Sequence, residues 1–162
     1  HSMRTILQHK LSIAADTFGE VDAQTLPTGY YSSCEAEPVF DFRQERAVGQ
    51  YGMAGHQQQK IVQGGYDHAF PFSDKGKFSL FDPDSKIEIR GETSEESVIV
   101  YTCNKVPVPY LLEGGILQQH SGITLETQAL PDRIHSDQPQ RVIIAPENPY
   151  NSLTSYKFSI RK

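Results

Sequence analysis

Phe78-Ser79-Leu80-Phe81-Asp82-Pro83-Asp84-Ser85-Lys86-Ile87-Glu88-Ile89-Arg90 is the stretch that decides the fold. Two short β-prone runs flank a four-residue segment rich in Asp, Pro and Ser. Pro presets its own φ, and Asp and Ser side chains bond nearby backbone, so the segment reads as a turn. The whole reads as a β-hairpin. Downstream, the polar residues Gly91 to Ser97 lead into Val98-Ile99-Val100-Tyr101, an apolar run suited to a buried central strand.

The same short-period pattern extends outward in both directions. Leu11 and Ile13 alternate with Lys10 and Ser12, and Val39-Phe40-Asp41-Phe42-Arg43 is a second β-rich run. Further strands are expected at Gly122 to Gln128, Arg141 to Ala145 and Ser155 to Ile160. One short helical turn is expected within Gln44 to Gly55. Val106, Pro107 and Pro109 read as an extended loop. No long stretch repeats its apolar residues at helical spacing, and there is no repeat, linker or break in composition. The expected architecture is one all-β antiparallel domain over residues 4–162, with His1-Ser2-Met3 read as the remnant of a tag.

Bulk composition narrows the function. The 162 residues suffice for one domain with a real core. Hydrophobic residues make up 37% and charged residues 22%, a polar but globular balance. The net charge of −5 argues against nucleic acid or an anionic membrane as partner, because either calls for a basic face. No segment has the length of a transmembrane helix and no leader opens the chain, so a cytoplasmic protein is expected. Cys34 and Cys103 lack the spacing of a metal or redox motif. Two free thiols in a reducing cytosol is the simpler account, with one long-range disulfide as the alternative.

Several chemistries lack their signatures. There is no Gly-x-Ser-x-Gly nucleophile elbow and no glycine loop placed to cradle phosphate. His9, His56, His68, His120 and His135 are too scattered for a zinc pair, so no metal is expected. Two segments are less ordinary. Gln63-Gly64-Gly65-Tyr66-Asp67-His68-Ala69-Phe70 sets an acid and an imidazole between aromatics, after glycines that permit close backbone approach. Gly122-Ile123-Thr124-Leu125-Glu126-Thr127-Gln128 puts a glutamate in mid-strand, where that residue is depleted. Taken alone, Glu126 reads as an outward-facing acid on a solvated sheet.

In sequence order, these segments resemble the aldose 1-epimerases, the galactose mutarotase family. The resemblance rests on Gly65-Tyr66-Asp67-His68 and on Leu125-Glu126-Thr127-Gln128 followed by Pro131-Asp132. It is supported by Leu7 to Leu11, Leu26-Pro27-Thr28-Gly29, Phe40-Asp41-Phe42-Arg43, Val100-Tyr101-Thr102-Cys103-Asn104 and Pro149-Tyr150 to Phe158. It implies an antiparallel β-sandwich of the galactose mutarotase-like supersandwich type, here partial. The implied enzyme is an isomerase of carbohydrate metabolism that interconverts the α and β anomers of a free aldose such as glucose or galactose, without a cofactor. Glu126 matches the catalytic base that takes the C1 hydroxyl proton, and Asp67 the substrate-binding aspartate.

The departures carry equal information. Family members are considerably longer, and only their C-terminal portion is matched. The segment carrying their acid histidine, a second histidine and a sugar-binding arginine has no counterpart here. His9 aligns with a non-catalytic histidine, and His68 does not become the acid by adjacency to Asp67. Ile99 stands where many members place a sugar-contacting glutamine, and Cys103 replaces a glycine. One expectation is therefore an epimerase whose site is completed by a missing N-terminal segment or another subunit. The alternatives are a truncated sugar-binding module using Asp67 with aromatics such as Tyr66 and Phe70, or an inert fragment that self-associates as a homo-oligomer. A two-carboxylate glycosidase ranks last.

Overall fold

The structure is a computed structural model describing residues 4–106, 108–113 and 115–162. Its strands are β1 (Lys10–Ile13), β2 (Thr17–Val21), β3 (Pro27–Ser33), β4 (Arg46–Ala47), β5 (Asp67–Pro71), β6 (Gly76–Phe81), β7 (Ile87–Thr93), β8 (Ser97–Tyr101), β9 (Tyr110–Leu112), β10 (Gly115–Leu117), β11 (Thr124–Gln128) and β12 (Thr154–Ile160). All pair antiparallel, in a five-stranded sheet ordered β12-β7-β6-β1-β4 and a three-stranded sheet ordered β11-β8-β5. Two further ribbons, β2-β3 and β9-β10, complete the set.

The expected hairpin is β6-β7. The Asp82 carboxylate closes its turn by accepting from the amides of Asp84 at 3.0 Å and Ser85 at 3.2 Å. The apolar run at Val98 is β8, central in its sheet as expected. Register puts Leu11, Leu80, Ile89 and Phe158 in one row across the larger sheet, with Ile13, Phe78, Gly91 and Tyr156 in the next. Residues paired in register share a face, so this face is apolar. Its β1-β6 end packs against Phe70, Val98 and Val100 of the smaller sheet, with Phe18, Phe40, Phe42 and Tyr66 filling the space between. Each such side chain contributes about 1.5–3 kcal/mol on burial.

Three expected elements are corrected. Val39 to Arg43 is not a strand. Pro38 opens a 3-10 turn over Pro38–Phe40, closed by the Phe40 amide on Glu37, and it has no N–H to give a ladder. Phe40 and Phe42 are nonetheless buried core. Arg141 to Ala145 holds the end of the 3-10 turn Pro139–Arg141 and one isolated bridge, Ala145 to Asn148. It forms no ladder with any described strand.

Gln44 to Gly55 contains β4 and a turn in place of a helix, because the amides of Val48 and Gly49 donate outward to His9 and Leu7 carbonyls. The α-helix, α1 (Gln57–Ile61), begins just beyond. His56 Nδ1 caps the Gln58 amide at 3.1 Å, while Gln59 Oε1 accepts from the His56 amide at 3.2 Å. In the expected loop, Val106 and Pro109 are irregular and Pro107 lies outside the described residues. No helix among the described residues is long and apolar enough to cross a membrane. Cys34 and Cys103 are both free.

Candidate functional site

The two singled-out carboxylates lie on the same sheet. Asp67 opens β5 opposite Tyr101 of β8, and Glu126 lies in β11 opposite Ile99 of β8. Tyr101 and Ile99 are two residues apart, so both acids project from one face and flank the central strand diagonally. Two inter-strand spacings and a two-residue offset put their Cα atoms roughly 10–12 Å apart, enough to admit a sugar ring. The opposite face carries His68, Phe70, Val98 and Val100 into the core.

The turn before Asp67 is held tightly. Gly65 has φ +95°, and a Cβ there would lie 2.4 Å from Thr102 Oγ1 and 2.7 Å from Asn104 Oδ1. Thr102 Oγ1 accepts from the Tyr66 amide at 2.9 Å, and buried Asn104 donates through Nδ2 to the carbonyls of Tyr66 at 2.9 Å and Val62 at 3.1 Å. The Tyr-Thr-Cys-Asn segment thus clamps the chain that presents Asp67. Cys103 sits between the clamping residues at φ +52°, in the left-handed region that suits glycine.

Asp67 is half-buried, and its Oδ2 accepts from Lys105 Nζ at 3.1 Å. Glu126 is exposed and accepts from Thr124 Oγ1 at 2.9 Å. His68 is fully buried. Its Nδ1 accepts from the Asp67 amide at 3.0 Å, leaving the Nε2 proton to face Gln58 Oε1 at 3.3 Å. Burial, and secondarily the His56 ring, push its pKa down to about 3. The ring is neutral in the physiological range and turned away from both acids, so it is not the site's proton donor. Gln58 in turn bonds both backbone groups of Val21, which fixes the β2-β3 ribbon beside β5.

That ribbon walls a cavity of about 160 Å³ lined by Glu20, Tyr30, Tyr31, Asp67, Ala69 and Ile99 among others. A second cavity of about 400 Å³ adjoins it across Tyr31 and Pro131 and is bounded by Asp132, Arg133 and His135. Arg133 is anchored by Glu96 at 2.8 Å, which also takes Arg141 at 3.2 Å. Glu126 borders neither cavity; it stands on the open side of Ile99.

Tyr66 and Phe70, expected as sugar-holding aromatics, are completely buried in the core, where the Tyr66 hydroxyl donates to the Val39 carbonyl at 2.7 Å. The aromatics that reach the cavity are Tyr30 and Tyr31. Sequence reading missed these two, together with Lys105 and Arg133. The tyrosines directly follow the Pro27-Thr28-Gly29 motif, which was the signal available; Lys105 and Arg133 had none.

Comparison with known proteins bears on the family and the fold. The family model for aldose 1-epimerase matches residues 1–157. The chain is 30% identical over 160 residues to rat galactose mutarotase and 31% identical over 130 residues to an aldose 1-epimerase of Haemophilus influenzae. These alignments cover 96% and 78% of this chain but 45% and 37% of the relatives, so it spans less than half their length. Among solved structures, galactose 1-epimerase from Lactobacillus acidophilus superposes with a TM-score of 0.73 at 22% identity, covering 96% of this chain and 45% of that one. A C. elegans aldose epimerase homologue gives 0.72 at 20%, covering 98% and 47%. The antiparallel fold is shared with both. With the family model matched over nearly the whole sequence, this chain belongs to the aldose 1-epimerase family.

Proposed function

We propose that this chain carries the base and the sugar clamp of an aldose 1-epimerase site, acting on a free aldose such as glucose or galactose. The observation that supports it is the placement of Asp67 and Glu126 on one sheet face, either side of Ile99. Glu126 takes the proton from the C1 hydroxyl while an acid delivers one to the ring oxygen. The C1–ring oxygen bond breaks to give the open-chain aldehyde. Rotation about C1–C2 and the reverse proton transfers close the other anomer. Positioned proton transfer of this kind contributes roughly 10²–10⁴-fold. Asp67 accepts charge-assisted hydrogen bonds from sugar hydroxyls, displacing Lys105 to do so.

The acid comes from outside this chain, from an N-terminal segment or another subunit. His68 is unsuited because it is buried on the far face. The reaction calls for no cofactor, and the two free thiols suit a cytoplasmic setting. Polarimetry of freshly dissolved α-anomer tests the reading, comparing the chain with Glu126→Gln, each mixed with the N-terminal portion of a family relative to supply the acid. A rate above buffer that falls at least 100-fold in the variant supports it; equal rates in both refute catalysis by this chain. One observation favours a second reading, a non-catalytic sugar-binding module: Asp67 lines a cavity and Glu126 does not. Binding lost in Asp67→Ala but intact in Glu126→Gln, with no mutarotation by either, selects it.

A further inference from the structure

The apolar face of the larger sheet is covered at one end only. Leu11 and Ile13 on β1 are 0% and 2% exposed, whereas Tyr156, Phe158 and Ile160 on β12 are 49%, 67% and 68% exposed. The chain as a whole exposes 9700 Å². An ordinary folded monomer of 18.2 kDa exposes roughly 8,100 Å². The excess of about 1,600 Å² is twice the roughly 800 Å² that each partner buries in a standard interface.

β12 is also an edge, with its outer side unpaired among the described residues. The Arg161 amide donates to Lys86 and the Ser94 amide to Leu153, both in line with the β12-β7 register. In an antiparallel ladder alternate residues bond alternate neighbours, so the odd-numbered residues of β12 spend their backbone groups on β7. The even-numbered ones, including Tyr156, Phe158 and Ile160, aim N–H and C=O at the open edge. Their side chains lie on the uncovered apolar face, so one strand added here meets unsatisfied backbone and exposed apolar surface together.

We infer that this edge and face are an interface, and that the occupant is a second copy of this chain. A two-fold axis through Phe158 pairs Phe158 with its mate, Tyr156 with Ile160 and Lys157 with Ser159. No like charges are opposed, and each apolar side chain gains an apolar neighbour. The inference stands apart from catalysis.

Sedimentation equilibrium over 1–100 μM, with amide hydrogen exchange on the same samples, tests it. The expected result is twice the chain mass, with the amides of Tyr156, Phe158 and Ile160 protected and losing protection on dilution. Phe158→Lys is expected to weaken the dimer at least thirtyfold with the β circular-dichroism signal retained, while Lys157→Gln leaves it intact. If Phe158→Lys fails to fold, the exchange pattern of the unmodified chain decides alone. A monomer at 100 μM with those three amides exchanging freely overturns the inference and leaves the edge for a strand of a different polypeptide. A dimer in which they remain unprotected overturns it too.

Discussion

Asp67 and His68 are adjacent in sequence and opposite in fate, because successive strand residues face opposite sides. Asp67 meets Lys105 at the cavity, and His68 is sealed beneath it as a neutral ring. That burial has a consequence for stability. The folded His68 pKa, about 3, lies below its ordinary value of 6.5. Between those limits the unfolded chain binds the extra proton, so the histidine's contribution is whole above pH 6.5 and is lost as pH falls toward 3. The expected slope is roughly 1.4 kcal/mol per pH unit. Asp41 and Asp82, held low chiefly by hydrogen bonds from Arg43 and from Ser85, act below their ordinary 3.8, so the comparison with a His68 variant is made between pH 6.5 and 4. Urea unfolding across that window should show a steeper slope for the unmodified chain than for His68→Leu; equal slopes would refute a buried neutral imidazole. At this scale the carboxylates were legible only through the resemblance of their motifs. Periodicity alone made Glu126 a solvated acid, and it is indeed exposed. Lys105 was illegible, because it joins Asp67 from a chain segment 38 residues away; Tyr31, 36 residues away, was marked only by the Pro27-Thr28-Gly29 motif before it.

Among the elements, β6, β7, β8 and β12 were readable because an apolar pattern coincided with turn residues or with a long buried run. β5 was not. Its His68, Ala69 and Phe70 are all buried, with Ala69 packed against Gly19 of the neighbouring ribbon, so no alternation survives. Val39 to Phe42 misled for the converse reason: its residues suit a strand, but Pro38 starts a turn. Gly91 shows how tightly the legible elements are specified. A Cβ there would lie 2.1 Å from the Phe78 ring, which rests on the bare backbone of β7. Phe78 in turn is buried and stacks on Phe72, with ring centroids 6.5 Å apart. Gly91→Ala should therefore displace Phe78 and cost about 1–3 kcal/mol, the usual range for overpacking, as measured by chemical denaturation. A change under 0.5 kcal/mol would mean that the ring moves freely and that this packing matters little.

For the whole molecule, composition and strand pattern conveyed the antiparallel β class, and ordered motifs conveyed the family. Neither conveyed the uncovered end of the larger sheet, since exposed Tyr156, Phe158 and Ile160 look in sequence like any buried strand. The architecture divides the chain into two working regions. The smaller sheet and the β2-β3 ribbon shape the candidate sugar site, and the outer strands of the larger sheet offer an edge for association. The central claim concerns the first region: Asp67 and Glu126, presented across β8, hold an aldose between them. Titration of isotopically labelled chain with D-galactose, followed by amide chemical shifts, tests this most directly. The account predicts saturable shifts at Asp67, Ala69, Ile99 and Glu126 that vanish in Asp67→Ala while the rest of that variant's spectrum is retained. Shifts confined to other parts of the molecule, or none at 100 mM sugar, about a hundredfold above the upper end of ordinary KM values, would contradict it.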